Sequence, residues 1–146
     1  MCEKMCENSY DEIIEHLFIG GASALNESDN FELIVNCTPD IIIKHPTKTI
    51  RIPIKDNPDE CNKFLQLLDE TNILEKIQNS INKKEQVLVH CQAGQQRSCA
   101  LVACYLIKYN NMKPYAAVNH IKIKRRIAFF GEINFITAMI NFFYRL

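Results

Sequence analysis

The sequence predicts an α/β layered domain with helices on both faces of a sheet. Three observations carry this. Short apolar segments of strand character alternate with longer segments of helical period. The 146 residues are one domain's length. Hydrophobic residues at 47% and charged residues at 23% exclude a disordered or fibrous chain.

The elements follow in chain order. Residues 1–9 are expected to form a disordered N-terminus within a single domain spanning 1–146. Leu17-Phe18-Ile19 before Gly20-Gly21 reads as a short strand and turn. Leu33-Ile34-Val35-Asn36-Cys37 is a buried-type strand that stops near Thr38-Pro39. Thr49 to Ile54 alternates, with Ile50, Ile52 and Ile54 on one face and Pro53 near the strand end. Asn57-Pro58-Asp59-Glu60 is a helix start, with Asn57 as N-cap, Pro58 at N1 and Glu60 at N3. One apolar stripe then runs through Cys61, Phe64, Leu68, Thr71, Leu74, Ile77 and Ile81. Val87-Leu88-Val89 reads as a central, fully buried strand. Helices are expected over Arg97 to Asn110, from Pro114 to about Arg126, and from Gly131 to Tyr144. The last should turn Ile133, Ile136, Met139, Ile140 and Phe143 inward.

Charge is balanced but unevenly placed. Residues 1–86 hold nine Lys/Arg and sixteen Asp/Glu, and residues 87–146 hold eight and one. An anion site is therefore expected in the second part, while the neutral total argues against general nucleic-acid binding. Met1 to Glu7 is polar and the longest apolar runs are as short as Ile41-Ile42-Ile43. Neither a secretory signal nor a membrane span is expected, and an intracellular, cytoplasmic location follows as an expectation. The seven cysteines include no CxxC pair, and Cys2-x3-Cys6 has no matching second pair. No metal site is expected, and a lone reactive thiol among inert buried ones is the better reading. Twenty Ile, 14 Asn and 12 Lys against 5 Arg is a composition that an AT-rich genome produces, viral ones included.

The informative stretch is Val87-Leu88-Val89-His90-Cys91-Gln92-Ala93-Gly94-Gln95-Gln96-Arg97-Ser98. A buried strand runs into Cys91, a five-residue loop follows, and Arg97-Ser98 open a helix. Strand, tight loop and helix make an anion cradle, in which successive N–H groups converge on one phosphate. Gly94 lets the backbone turn. Arg97 supplies a planar fork for two phosphate oxygens. The same field favours Cys91 as thiolate, placed to attack a bound phosphorus atom. Ser98 can hydrogen-bond the sulfur when it later leaves.

His90-Cys91, five residues, then Arg97-Ser98, with Ala93-Gly94 inside, resembles the signature of the cysteine-dependent protein tyrosine phosphatase superfamily. The Ala-Gly form in so short a chain is similar to its dual-specificity, vaccinia-H1-like branch. Leu17-Phe18-Ile19-Gly20 with Ala24-Leu25 looks like that branch's opening strand and turn. Ile34-Val35-Asn36-Cys37-Thr38 looks like its second strand, and Arg126 with Phe135 nine residues later resembles its closing segment. Ile127 replaces the usual Pro, Gly131-Glu132 replaces a usual Pro-Asn, and Cys99 follows Ser98 where a small residue is common. The resemblance implies a compact domain with a central, mostly parallel, twisted sheet of about four to five short strands. It also implies a phosphoprotein substrate and no cofactor.

The resemblance further assigns roles. Cys91 is the nucleophile and Arg97 the phosphate ligand, with Gln92, Ala93, Gly94, Gln95 and Gln96 lining the substrate phosphate. Asp56, at the end of Ile52-Pro53-Ile54-Lys55, matches the general acid, which contributes ~10²–10⁴ in rate. Asp59 and Glu60 are rivals that helix capping already explains. His90 orients the loop without transferring a proton. Within Lys122, Lys124, Arg125 and Arg126, Arg126 matches an arginine near the pocket. Cys37, at the end of its strand, is the candidate partner of Cys91 in a redox switch. Brevity leaves no room for the segments that deepen tyrosine-only pockets, so a shallow site admitting phosphoserine, phosphothreonine and phosphotyrosine is expected. Two alternatives are weighed against this. One is an RNA 5′-triphosphatase, whose loops usually carry Thr-His-Gly and Asn-Arg-Thr where Gln92-Ala93-Gly94 and Gln96-Arg97-Ser98 stand. The other is a non-catalytic phosphate-binding module, which typically loses the Cys or the Asp.

Overall fold

Strand β1 (Tyr10–Ile14) and strand β2 (Leu17–Gly20) form an antiparallel pair at one edge of a five-stranded sheet. The other strands are β3 (Leu33–Asn36), β4 (Thr49–Arg51) and β5 (Val87–His90). The order is β1-β2-β5-β3-β4, and every pair except β1–β2 is parallel. The computed structural model describes residues 8–146. Expectations for residues 1–7, Cys2 and Cys6 included, lie outside them. Asn8 and Ser9 belong to the packed domain: the Arg125 side chain donates to Asn8 O at 3.0 Å, and Gly21 N–H to Ser9 O at 3.1 Å.

The sheet faces are covered unequally. Leu17, Ile19, Val35, Val87 and Val89 face the main core, built with α1 (Cys61–Thr71), α2 (Ile73–Asn82), α3 (Arg97–Tyr109), α4 (Pro114–Lys124) and α5 (Ile136–Tyr144). The alternate residues Ile34 and Leu88 face a smaller cluster with Ala24 and Phe31, against the 3-10 segment Ala22–Asn30. Tyr10, Phe18 and Phe31 close that face edge-to-face, with ring centroids 5.2–5.7 Å apart.

Several boundaries differ from the sequence expectation. Charged Asp11 and Glu12 hide β1, in which only Ile13 is buried. The ladder of β4 closes with Ile52 N–H to Asn36 O at 2.8 Å, and Pro53 follows at a position whose backbone nitrogen faces the open edge of the sheet, where no N–H is needed. Ile52 and Ile54 are nonetheless fully buried. The stripe expected as one helix is split at Asn72, whose φ of 56° lies in the left-handed region that Asn tolerates. Helix α5 starts at Ile136 rather than Gly131 and buries Ala138, Met139 and Phe142, so Phe142 rather than Phe143 faces fully inward. Among the described residues, no helix is long and apolar enough to cross a membrane.

Candidate active site

The sheet order puts β5 at its centre, with Gly20 of β2 and Asn36 of β3 both in register with His90. Cys91 therefore leaves the sheet where three parallel carboxyl ends meet, the position at which such sheets bind ligands. The loop from Cys91 to Arg97 is held from outside at every turn. Gln92 O accepts from Ala22 N–H at 2.9 Å, and Ala93 O from Arg125 Nη2 at 3.3 Å. Gly94 O accepts from Arg125 Nε at 2.9 Å and Gln95 O from Phe129 N–H at 2.6 Å. A trans peptide holds its C=O and N–H on opposite sides. Four carbonyls tied outward thus turn the amides of Ala93, Gly94, Gln95 and Gln96 into the concave side of the loop. Gly94 has φ +69°, and a Cβ there would lie 2.6 Å from Arg125 Nη2 and 2.7 Å from the Gly20 carbonyl carbon.

Cys91 and Ser98 are both buried, with Sγ and Oγ 3.2 Å apart. Arg97 opens α3, and its Nη1 donates to Ile54 O at 2.9 Å, which ties the guanidinium to the segment leading to Asp56. Its Nε is buried with no hydrogen-bond partner among the described residues. Asp56 is exposed, and its Oδ1 accepts from Asn134 Nδ2 at 2.8 Å. Of its rivals, Glu60 has its carboxylate engaged, whereas Asp59 is tied through its backbone N–H. Asp59 N–H donates to the Asn57 side chain at 2.8 Å, and Glu60 Oε1 accepts from Lys55 N–H at 3.0 Å. Glu60 thus braces the Asp56 segment rather than closing a capping box on Asn57.

The other loop residues divide. Gln92 and Ala93 are exposed and Gln95 half-buried. The Gln96 side chain is turned away from the cradle: Nε2 donates to Phe130 O at 3.2 Å and Glu132 O at 2.7 Å, and Oε1 accepts from Asn134 N–H at 3.0 Å. Its amide alone belongs to the concave side. Of the basic cluster, Arg125 reaches the loop and is 2% exposed, while the expected Arg126 is exposed one position on. Sequence reasoning placed Arg125 in the basic cluster but singled out Arg126, and it missed Arg125's partner Asp11 (2.7 Å) and Asn134. A signal for Arg125 was present, since it continues the buried Ala117–Ile121 stripe of α4 at four-residue spacing.

His90 is fully buried, and its Nδ1 lies 3.4 Å from Cys91 O. Burial pushes its imidazole below the ordinary value, opposed by that contact and assisted by the Arg51 guanidinium. Its Nε2 has no partner among the described residues, and the ring borders a small cleft shared with Ser28, Asn36, His45 and Thr49. That cleft is not lined by Cys91. Cys37 lies beside the loop, with its N–H donating to His90 O at 2.8 Å. Burial pushes the Cys37 thiol well up, and the neighbouring Cys91 sulfur adds to this against the Arg97 charge. Burial likewise raises Cys99 and Cys104 on α3. No group of three or more His, Cys, Asp or Glu among the described residues could hold a metal ion.

A cysteine at the end of a central parallel strand, beside a loop whose amides are turned inward and an arginine at the next helix start, makes a candidate anion-binding site. The family model described as dual specificity phosphatase, catalytic domain, matches residues 17–145, and the chain belongs to that family. The tyrosine-protein phosphatase yvh1 of Schizosaccharomyces pombe is 31% identical over 93% of this chain, which spans 42% of that protein's length. The putative tyrosine phosphatase 123R of Invertebrate iridescent virus 6 is 32% identical, over 81% of each chain. A crystal structure of a mouse putative dual specificity phosphatase complexed with zinc tungstate superposes with a TM-score of 0.81 at 23% identity. That superposition covers 97% of this chain and 90% of the mouse one, and it fixes the α/β fold.

Proposed function

We propose that the protein hydrolyses phosphotyrosine and phosphoserine or phosphothreonine monoesters of phosphoproteins through a phosphocysteine intermediate. The observation that carries this is the set of four outward-tied carbonyls around Cys91, which aims four amides at one oxyanion. The buried, unpartnered Arg97 Nε is a donor that a phosphate oxygen satisfies. In the first step the Cys91 sulfur attacks phosphorus, the P–O bond to the substrate breaks, and Asp56 gives its proton to the leaving oxygen. In the second, Asp56 as carboxylate takes a proton from water, the water oxygen attacks phosphorus, and the P–S bond breaks. Ser98, 3.2 Å from the sulfur, stabilises it as it leaves. Charge on the transferred group is met by Arg97 and the loop amides, so the mechanism calls for neither metal nor cofactor.

Exposed Asp56, Gln92 and Ala93 support a shallow site open to all three phosphoamino acids. The five described cysteines are free, as in an intracellular, reducing compartment such as the cytoplasm. Cys37 is the proposed partner that captures oxidised Cys91.

Cys91→Ser tests the mechanism. It removes the nucleophile and keeps the amides and Arg97, so turnover should fall by orders of magnitude while inorganic phosphate still binds. Turnover within about tenfold of wild type would exclude the phosphocysteine route. Initial rates on phosphotyrosine, phosphothreonine, phosphoinositide and triphosphate-RNA substrates then separate this reading from RNA 5′-triphosphatase activity.

A further inference from the structure

We infer that the buried Asp11–Arg125 pair sets the orientation of the phosphate cradle, acting as a positioning device for the Gly94 and Gln95 amides. The inference rests on the phosphatase reading above. Arg125 is 2% exposed, and its described side-chain hydrogen bonds go to two destinations. Nε and Nη2 donate to Gly94 O and Ala93 O at 2.9 and 3.3 Å. Nη1 donates to Asp11 Oδ2 at 2.7 Å and Asn8 O at 3.0 Å. One planar fork thus fastens two consecutive peptide groups of the loop to the N-terminal edge strand.

Holding Ala93 O fixes the Gly94 N–H, and holding Gly94 O fixes the Gln95 N–H, because each shares a rigid peptide plane with the carbonyl that is held. Nothing on the concave side is needed for this. The amides are aimed before a ligand arrives, the condition under which fixed dipoles stabilise charge without reorganising. Asp11 makes the arrangement tenable. A guanidinium this buried needs a counter-charge, and Asp11 is 16% exposed on the far side of it from the loop. Asp11 also keeps Nη1 occupied, so that Nε and Nη2 remain aimed at the loop. The Asn8 amide in turn donates to Asp11 Oδ1 at 2.7 Å and steadies the carboxylate. Contact between Arg125 and the loop is tight enough that Gly94 has no room for a Cβ on that side.

Arginine, and not merely a cation, is required, since a lysine ammonium is a point donor that cannot span two carbonyls and a carboxylate in one plane. Three variants of the full chain test this: Arg125→Lys, Asp11→Asn and Arg125→Ala. The readouts are the Kd for inorganic phosphate by calorimetry, the melting temperature, and kcat and KM on an aryl phosphate. Tyr105→Phe serves as the stability control, because it loses the hydroxyl that bonds the Gln78 side chain away from the loop. Arg125→Lys should weaken phosphate binding about tenfold, the loss of roughly one charge-assisted hydrogen bond. Asp11→Asn should weaken it in the same direction, and Tyr105→Phe should lower the melting temperature while leaving Kd unchanged. If Arg125→Lys and Asp11→Asn melt lower but bind phosphate as wild type does, the pair is only a structural tie and the inference is overturned. Should Arg125→Ala not fold, the two milder variants still decide. If wild type neither binds phosphate nor turns over, the phosphatase reading fails instead.

Discussion

At the scale of single residues, Asp56 carries the sharpest chemical prediction. Its carboxyl is exposed and touches Asn134 Nδ2, and the backbone leading to it is anchored by the Arg97–Ile54 bond. Asp56→Asn should cut kcat by about 10²-fold on a phenyl or alkyl phosphate, whose leaving oxygen needs a proton. On an activated aryl phosphate, whose oxygen leaves unaided, the loss should shrink. Equal losses on the two substrates would mean that Asp56 is structural, and Asp59 would then be the residue to change. The residues of the proposed chemistry stand out in the sequence because they are crowded together: His90, Cys91, Gly94, Arg97 and Ser98 lie within nine positions. Asp11 was not legible. It lies 114 positions from Arg125, and a carboxylate on a short polar segment looks like any solvated one until the buried guanidinium is seen.

At the scale of elements, adjacent parallel strands set up the redox prediction. Cys37 follows β3 and Cys91 follows β5, and the Cys37 N–H to His90 O bond at 2.8 Å continues the ladder one step past the strands. Neighbouring parallel strands lie ~4.7–4.9 Å apart, inside the ~4.4–6.8 Å Cα range of a disulfide. In the predicted switch, peroxide oxidises the Cys91 sulfur to a sulfenic acid and releases water. The Cys37 sulfur then forms the S–S bond and the sulfenic oxygen leaves as a second water. Burial favours the protonated Cys37 thiol, so in this prediction Cys37 should respond to an oxidised Cys91 rather than meet peroxide first. Mild peroxide should give a Cys37–Cys91 peptide by mass mapping, with activity restored by added thiol. Cys37→Ser should be inactivated irreversibly faster than wild type; equal rates and no linked peptide would leave Cys37 as packing. The strands that frame this pair were readable from β-branched apolar runs, whereas helix limits were not. The stripe through Asn72 keeps its period across the break, so nothing apolar marks the left-handed residue. The start of α5 is delayed because residues 129–134 serve the loop: Phe129 N–H caps Gln95 O with φ 56°, and Gly131 follows with φ +78°.

At the scale of the whole molecule, the buried His90 links pH to stability. Its folded value lies below the ordinary ~6.5, so the unfolded chain binds the proton more readily. The stabilisation is complete above ~6.5 and is lost as pH falls from there through the folded value. It falls by no more than ~1.4 kcal/mol per pH unit, the limit for one proton. Urea midpoints for wild type and His90→Asn at about pH 7.5 and about 5.5 check this. Wild type should lose more stability over that interval than His90→Asn, and equal losses would remove His90 as the source. The α/β architecture itself was legible from alternation of strands and helices. The covering of one sheet face by a 3-10 segment was not, because Ala22–Asn30 has neither helical period nor strand alternation.

The outward ties of the loop have one more consequence. Its geometry is fixed by Ala22, Ile54, Arg125 and Phe129, from four separate stretches of chain, and by Asp11 through Arg125. The nine-residue signature therefore holds the reagents but not the shape. A peptide copied from residues 90–98 would carry every atom of the cradle and no cradle, and the motif transplanted onto another strand-loop-helix would lack the donors that turn its amides inward. The active site is an assembled surface, which exists only once the first and last thirds of the molecule have met around it.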